Sequence, residues 1–309
     1  MNTLTVVSPG LLTTVQDLGR EGYGPIGVSA SGAADALSLR IGNKLAGNPE
    51  PAAALEMTLL GGTFQFSQDA TIALVGSDFG AMLDDRAIAI YSTVSVQAGQ
   101  TLKFGPTSSG ARAYLCIRGG ISVPELLGSR STHLLSGLGG FEGRALCKGD
   151  VLPIGDVTSL PAPQLFNERW RALLASRKTI RVTQGPQWEN FSELTRRIFL
   201  EQAYVVTEDA NRMGIRLKGT QYELASTGEM ITEGVSLGAI QVTPGGQPII
   251  LFVEQQTTGG YPKIANVIAA ELGSVGQLRP RDEIGFELVT MDAARELYRE
   301  QERLVRSLK

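Results

Sequence analysis

The residues best suited to chemistry lie in a glycine-rich run, EQQTTGGYPKIA, which follows an apolar stretch of the chain. Gly259 and Gly260 lack a Cβ and let backbone N–H groups approach a ligand closely. Because proline is tolerated in the first turn of a helix, Pro262 predicts a helix over Ile264–Leu272. The N-terminus of such a helix would present N–H donors and a positive dipole end to a carboxylate, a phosphate or a developing oxyanion.

Lys263 is the titratable group of greatest interest in this run. Its ammonium group could pair with a substrate carboxylate or stabilise charge that develops on a carbonyl oxygen. We predict catalytic roles for Lys263 and Tyr261, and substrate-binding roles for Thr258, Gly259 and Gly260. The alternative is a solvated lysine on an ordinary strand-to-helix turn. A helix N-terminus repels a cation unless an anion is bound, which favours ligand binding.

A second candidate is the segment NRMG, in which Asn211 and Arg212 are predicted to bind the substrate. The preceding acidic pair, Glu208 and Asp209, could hold the guanidinium group in place. Asparagine before a glycine is also a common turn residue, and both interpretations stay open. Glu56 lies among apolar residues, so it either faces outward from a strand or is buried with a perturbed pKa.

Several kinds of catalytic centre are disfavoured by the composition. His133 is the only histidine and no Gly-x-Ser-x-Gly motif accompanies it, so it is expected to be a surface or hydrogen-bonding residue. Cys116 and Cys147 do not form a zinc pattern and are expected to be buried thiols in a reducing compartment. We predict no metal site. The polar segments 13–20 and 29–35 are expected to be loops held by their own hydrogen bonds.

Nucleotide chemistry is also expected to lie elsewhere. The glycine-rich run lacks the Gly-Lys-Ser/Thr ending of a Walker A motif, and no dinucleotide fingerprint is present. The net charge of −3 and the scattered arginines exclude a general affinity for nucleic acid. Neither a signal peptide nor an apolar run of membrane-spanning length is found, which predicts a cytoplasmic protein without a membrane partner.

Short apolar or alternating runs, separated by turn residues, predict a mostly β chain with a few helices, of the α+β class. With 37 glycines and only 6% aromatic residues, the composition agrees with many strands and tight turns. Strands are expected at Thr3–Val7, Thr63–Phe66, Thr71–Val75, Ala87–Ile90, Thr101–Phe104, Ala111–Ile117, Thr179–Val182, Ala203–Thr207, Ile215–Lys218, Ala239–Val242, Ile249–Val253 and Glu283–Leu288.

Helical apolar spacing predicts helices over Ala33–Leu45 and Met291–Lys309. The proline-containing stretch Val157–Gln164 predicts an exit from a first domain, followed by a connecting helix over Phe166–Arg177. We therefore expect two β-rich domains, residues 1–160 and 178–309.

The glycine-rich run resembles the signature of the biotin-dependent carboxyltransferase subdomain A/B family, which includes the second allophanate hydrolase subunit, part of urea amidolyase and the C subunit of 5-oxoprolinase. Further segments agree in the family's order: PGLLTTVQDLGR (Pro9–Arg20), GVSASGAADALSLRIGNKLAGN (Gly27–Asn48), LLGSRSTHLLSGLGGFEGRALCKGD (Leu126–Asp150) and DANRMGIRLKG (Asp209–Gly219). Arg281 departs from the pattern, since a glycine is usual there. The resemblance covers nearly the whole chain.

The resemblance implies that residues 1–160 form subdomain A and that residues 178–309 form subdomain B, a cyclophilin-like β-barrel with a C-terminal helix. It is strongest to the C subunit of an ATP-dependent 5-oxoprolinase, a complex that cleaves 5-oxo-L-proline to L-glutamate. The implied partners are 5-oxoprolinase subunits A and B, the latter an allophanate hydrolase subunit 1-like protein. This chain is expected to bind no cofactor, and the complex to use ATP.

Two alternatives follow from the same resemblance. One is a biotin-dependent carboxyltransferase subunit of the urea and allophanate pathway. It would need a separate biotin carrier, since Lys263 follows proline and no Met-Lys-Met context occurs. The other is a regulator that binds a kinase-inhibitor protein. The length of the chain favours a stand-alone subunit over urea amidolyase, in which the equivalent region belongs to a much longer polypeptide.

Overall fold

The computed structural model describes residues 2–157, 170, 174–222 and 230–307. The described residues are mostly β, with helices α1 (Ala36–Ala46), α2 (Glu193–Glu201), α3 (Leu272–Gly276) and α4 (Met291–Ser307). This confirms the predicted fold class. Two compact units are present, one comprising Met1–Arg20, Ser31–Ala175 and Leu304–Lys309, the other Glu21–Ala30 and Ser176–Arg303. The domain boundaries predicted from the sequence stay a prediction.

Two antiparallel sheets form the first unit. Its strands are β1 (Thr3–Ser8), β2 (Leu12–Gln16), β3 (Ala54–Thr58), β4 (Thr63–Phe66), β5 (Ala70–Gly76), β6 (Met82–Leu83), β7 (Arg86–Ala87), β8 (Thr93–Val96), β9 (Thr101–Lys103), β10 (Arg112–Ile117) and β11 (Val151–Pro153). The six-stranded sheet has the order β11-β1-β4-β9-β6-β7, and the five-stranded sheet has the order β2-β3-β10-β5-β8.

Strand β5 shows how the alternation of side chains builds two cores on one sheet. Ile72 and Leu74 belong to a core that also contains Phe64 of the other sheet. Ala73 and Val75 point to the opposite face and pack in a second core with the buried side of α1. With both of its faces covered, this sheet has almost continuously apolar central strands.

A closed barrel dominates the second unit, with the strand order β12-β19-β16-β17-β14-β13-β20. Its strands are β12 (Thr179–Gln184), β13 (Tyr204–Val206), β14 (Gly214–Lys218), β16 (Ala239–Val242), β17 (Pro248–Leu251), β19 (Lys263–Val267) and β20 (Glu283–Leu288). Parallel pairing of β12 with β20 closes it. A two-stranded ribbon, β15 (Glu233–Gly234) with β18 (Thr258–Gly259), is separate from the barrel sheet. The predicted barrel is therefore confirmed.

Helix α2 packs on the barrel through aromatic side chains. Ser192 begins the helix, and its side chain accepts a hydrogen bond of 3.1 Å from the backbone N–H of Thr195. Phe199 on the buried face of α2 stacks on Phe286 of β20, with ring centroids 4.6 Å apart. This contact fixes the helix against the strand that closes the barrel.

The helix predicted over Ile264–Leu272 is wrong at its start, because Lys263–Val267 form strand β19. Strand β19 pairs with β16 on one side and with β12 on the other. Both neighbours supply hydrogen bonds to its backbone, and this tertiary pairing outweighs the local helical pattern. A 3-10 turn, Ala269–Glu271, and the short helix α3 follow. The glycine-rich run therefore enters a strand and not a helix N-terminus.

Two further predictions differ from the structure. The strand expected over Ala87–Ile90 is reduced to its first residue, since β7 is Arg86–Ala87. Cys116 is buried as predicted, whereas Cys147 is exposed because it lies in the turn before β11. The predicted linker 157–164 and connecting helix 166–177 lie mostly outside the described residues.

Within the described part of the chain, no helix has both the length and the apolar character that crossing a membrane requires.

Candidate functional site

Lys263 is the residue of the glycine-rich run whose surroundings are most unusual. It begins β19, and only 3% of its surface is exposed. A buried ammonium group is costly unless an anion compensates its charge. Glu233 of the ribbon strand β15 supplies that charge, with its Oε1 2.5 Å from the lysine Nζ. The solvated lysine that the sequence left open is therefore excluded.

Gln187 completes this arrangement. Its Nε2 donates to the same carboxylate oxygen of Glu233 at 2.8 Å. Its Oε1 accepts a hydrogen bond of 3.0 Å from the backbone N–H of Lys263, which fixes the orientation of the amide. Two donors, an ammonium and an amide, thus converge on one anionic oxygen. We call Lys263, Gln187 and Glu233 the lysine cluster.

The electrostatics of the lysine cluster are asymmetric. The side chain of Glu233 is 45% exposed, whereas that of Lys263 is 4% exposed. The pKa of the Glu233 carboxyl is lowered, first by its hydrogen bond from Lys263 and then by that from Gln187. The carboxylate form of Glu233 is therefore favoured. The cluster can hold one negative charge at the solvent-facing side of the buried Lys263 ammonium group.

The glycines of the run allow close packing beside this cluster. A Cβ on Gly259 would lie 2.6 Å from Nε2 of Gln241, a distance that real Cβ atoms do not show. Gly259 pairs with Glu233 in the ribbon. A side chain at this position would have to displace the amide of Gln241, which lies at the end of a flexible side chain. Gly260 lies near Thr232, and Tyr261 is exposed. Thr258 is exposed on the same ribbon strand.

Arg212 and Asn211 form a separate group. Arg212 ion-pairs with Glu254, and both side chains are buried. Glu208 pairs with Arg281. That an acid of the pair Glu208 and Asp209 holds the guanidinium group of Arg212 stays a prediction. The carboxamide of Asn211 accepts a hydrogen bond of 2.8 Å from the backbone N–H of Met213, which is a turn role.

Strand register separates this group from Lys263. Lys263 pairs with Gln241, near the end of β16. Arg212 precedes Gly214, which pairs with Leu251 at the last position of β17. Since β16 and β17 are antiparallel, these positions lie toward opposite ends of the barrel strands. Thr258 and Gly259 lie on the ribbon strand that pairs with Glu233, whereas Asn211 and Arg212 are not part of the lysine cluster. The catalytic and substrate-binding roles expected for these residues stay predictions.

The first unit holds the other polar residues considered from the sequence. Glu56 is buried and accepts hydrogen bonds from the Ala34 backbone N–H at 2.8 Å and from the Tyr114 phenol at 2.7 Å. Asp17 accepts hydrogen bonds from Ser129 and from the backbone of Arg130, as expected for a loop held by its own hydrogen bonds.

His133 is buried and also has a structural contact, since its Nδ1 accepts a hydrogen bond of 3.2 Å from the backbone N–H of Ser136. This agrees with the expected hydrogen-bonding role.

Comparison with known proteins places these residues in a family. The family model described as carboxyltransferase domain, subdomain A and B, matches residues 26–288. The chain belongs to this family. The carboxyltransferase match confirms the resemblance predicted from the ordered sequence motifs, and it includes the whole lysine cluster.

Individual carboxyltransferase-family relatives match over most of the chain. The 5-oxoprolinase C subunit of Haemophilus influenzae is 40% identical over 94% of this chain and 92% of that protein. The corresponding protein of Escherichia coli is 37% identical over 99% of this chain and 97% of that protein. Among solved structures, Kluyveromyces lactis urea amidolyase is 36% identical, with a TM-score of 0.92 over 99% of this chain and 20% of that chain.

Sequence reasoning found Lys263 but missed its partners. Glu233 lies 30 residues away from Lys263, and Gln187 lies 76 residues away. Neither residue belongs to a motif that carried the family resemblance. Glu233 stands in the exposed segment ITEGVS, where a single acid carries no signal of its own. Only the ribbon pairing with Gly259 would have pointed to it.

Proposed function

We propose that this chain is the C subunit of an ATP-dependent 5-oxoprolinase, an enzyme complex that opens the lactam of 5-oxo-L-proline to give L-glutamate. The observation that carries the proposal is the match to the Haemophilus influenzae 5-oxoprolinase C subunit, which spans 94% of this chain and 92% of that protein. A match that covers nearly the full length of both proteins supports an equivalent role as a stand-alone subunit.

The lysine cluster supports an anionic substrate for the same complex. 5-Oxoproline carries one carboxylate and one lactam carbonyl. The Lys263 ammonium and the Gln187 amide converge on a single carboxylate oxygen in the structure. Groups in this arrangement bind a carboxylate or stabilise the oxyanion that forms when a carbonyl is attacked. We assign Lys263 and Tyr261 to catalysis, and Thr258, Gly259 and Gly260 to the wall beside them.

Asn211 and Arg212 are retained as candidate binding residues at a second position, toward the other end of the barrel strands. Arg212 would act there by holding the carboxylate of Glu254, its buried ion-pair partner, in place. In this proposal they do not contact the same substrate atoms as Lys263. A substrate or partner subunit that reaches both ends of the barrel would be required for them to act in one site.

The proposal includes partners. 5-Oxoprolinase subunits A and B, the latter resembling allophanate hydrolase subunit 1, would assemble with this chain in the cytoplasm. ATP would be bound by a partner, because the sequence of this chain has no Walker A motif. We therefore expect the purified chain alone neither to hydrolyse ATP nor to open 5-oxoproline.

Reconstitution tests this function. The chain is co-expressed with subunits A and B, and ATP-dependent formation of glutamate from 5-oxoproline is measured for the complex, for each omission of one subunit, and for the isolated chain. Activity that requires all three proteins supports the proposal. Steady ATP hydrolysis by the isolated chain, or full activity without it, would contradict the proposal.

A second candidate function is carboxyl transfer within a urea-degrading system. The observation that favours it is the TM-score of 0.92 against Kluyveromyces lactis urea amidolyase. This chain covers 20% of that protein. The candidate also requires a biotin carrier, and no Met-Lys-Met context occurs in this sequence. Urea-dependent ATP hydrolysis after addition of biotin carboxylase and biotinylated carrier protein, with no turnover of 5-oxoproline, would favour this candidate.

A further inference from the structure

Glu233 is held in the lysine cluster by a weak structural element. Strand β15 consists of Glu233 and Gly234 and pairs only with the equally short β18. The residues on either side, Thr232 and Gly234, are exposed, and Ile231 is exposed to 86%. A two-stranded ribbon of this length is marginally stable by itself and opens at low cost.

The two residues that donate hydrogen bonds to Glu233, in contrast, belong to well-paired parts of the barrel unit. Lys263 lies in a barrel strand that is paired on both sides. Gln187 is tied to Lys263 by its side-chain oxygen at 3.0 Å and also by its backbone N–H, which donates to the Lys263 carbonyl at 3.3 Å. The backbone of Lys263 and the amide of Gln187 therefore keep their positions whether or not Glu233 is present, and together they provide a largely preorganised site for one carboxylate oxygen.

The energetic asymmetry shows which group can leave. When Glu233 swings away, its carboxylate, already 45% exposed, completes its hydration at little cost. The side chain of Lys263 is only 4% exposed while Glu233 covers it. Departure of Glu233 uncovers the ammonium group, and a second carboxylate in the same place restores the lost ion pair and hydrogen bond. Exchange of one carboxylate for another conserves the charge and both hydrogen bonds.

We propose that Lys263 and Gln187 form a binding site for the carboxylate of a small substrate. In the unliganded chain, the carboxylate of Glu233 occupies this site until the substrate displaces it. This inference rests on the proposed function for the identity of the substrate, 5-oxoproline. It adds two residues to the site, Gln187 as a second donor and Glu233 as a competitor. Displacement of Glu233 also frees the ribbon strand that pairs with Thr258 and Gly259.

The decisive variant is Glu233→Gln, which keeps the size of the side chain and removes the competing charge. Binding of 5-oxoproline to the full-length chain is measured by calorimetry, with 2-pyrrolidinone as a probe that has the lactam but no carboxylate. If about two-thirds to nine-tenths of the wild-type molecules hold Glu233 on the lysine, Glu233→Gln binds 5-oxoproline about 3- to 10-fold more tightly. Binding of 2-pyrrolidinone stays unchanged.

Glu189→Gln is the matched control. Glu189 is an exposed glutamate of the same unit, and it pairs with Arg196 instead of Lys263. Its substitution leaves the affinity for 5-oxoproline at the wild-type value. In the wild-type chain, 5-oxoproline is also expected to accelerate hydrogen exchange at the backbone amides of Glu233 and Gly259, which a purely structural ion pair would not do.

Equal or weaker binding of 5-oxoproline to Glu233→Gln overturns the inference, as does the absence of 5-oxoproline binding to all three chains. These outcomes are distinct from failure of the proposed function. The proposed function fails if a complex that contains the wild-type chain does not turn over 5-oxoproline. This result can occur even when the isolated chain binds 5-oxoproline and Glu233→Gln tightens the binding.

Discussion

Arg212 and Glu254 form an ion pair inside the barrel unit, and the side chains remain only 6% and 2% exposed. Their backbones are also joined, because the Glu254 N–H donates to the Arg212 carbonyl at 2.9 Å. The pair thus connects the turn before β14 to the segment that follows β17. A buried pair of this kind is costly to break from one side, since the remaining charge stays in a poorly solvated place.

Glu254→Gln is therefore expected to lower the free energy of unfolding by about 3 to 5 kcal/mol, because it removes a buried negative charge that contacts the Arg212 guanidinium group. Chemical denaturation of the full-length chain measures this loss. The double variant Arg212→Met with Glu254→Leu should recover most of the stability. A Glu254→Gln chain as stable as the wild type would show that the pair does not stabilise the fold.

Lys263→Met should separate catalysis from stability. The substitution keeps the length and apolar character of the buried side chain but removes its charge, while Glu233 can complete its hydration. We expect turnover of the assembled complex to fall by about 10²-fold or more, the usual effect of removing one charge-stabilising donor.

The control for this prediction is Lys178→Met, which removes a mostly exposed lysine from the same unit. Its turnover should match that of the wild type. Both variants are compared by melting temperature and by kcat. Wild-type kcat in the Lys263→Met complex would remove Lys263 from the list of catalytic residues.

Tyr114 should make the stability of the chain sensitive to alkaline pH. The pKa of its phenol is raised well above the ordinary value of 10.0, first by burial and then by the nearby carboxylate of Glu56. The folded chain keeps the phenol neutral at pH values where the unfolded chain has ionised it. The stabilisation is therefore complete below pH 10.0 and is lost progressively as the pH rises above that value.

Denaturation curves recorded from about pH 8 to about pH 11 test this dependence. Tyr114→Phe should flatten the alkaline fall in unfolding free energy, although it lowers stability at neutral pH by about 1 to 3 kcal/mol through lost hydrogen bonds. Tyr298→Phe, at an exposed tyrosine of α4, is the control. An alkaline slope that is identical in the wild type and Tyr114→Phe would contradict the prediction.

Arg281 stands at a position where the family pattern has glycine, and its φ of 71° explains the preference. This left-handed conformation strains a residue with a Cβ, whereas glycine adopts it freely. Its ion pair with Glu208 is exposed and contributes little. We expect Arg281→Gly to raise the free energy of unfolding by up to about 1 kcal/mol. Arg281→Ala, which keeps the strain, should not; equal stability of the two variants would argue against this explanation.

Regular alternation made much of the fold predictable. The predicted strands Thr63–Phe66, Ala239–Val242 and Glu283–Leu288 have the bounds found in the structure. The helix prediction after Pro262 is wrong, because a proline is tolerated in a first helical turn but does not require a helix. Only pairing with β16 and β12 decides that it is a strand. Such pairing joins residues far apart in the sequence, and local patterns do not encode it.

For the candidate site, the sequence predicted single residues but not their electrostatic partners. Side-chain type and glycine content identified Lys263. Its burial and its partners depend on the ribbon, which carries Glu233, and on Gln187 near the start of the second unit. Arg212 was predicted from its motif, yet its buried partner Glu254 lies 42 residues away in the sequence. In both cases the residue was found locally, whereas its electrostatic partner required the three-dimensional fold.

Closure of the barrel between β12 and β20 has a consequence for synthesis on the ribosome. Thr179 pairs with Gly285, and Val182 pairs with Leu288, in parallel register. The N-terminal strand of the barrel must therefore wait, with one edge unpaired, until the ribosome has released the chain beyond Leu288. Pairing over so long a loop is slow, and an open edge invites contact with other nascent chains. Translation pauses before β20 would prolong this vulnerable interval.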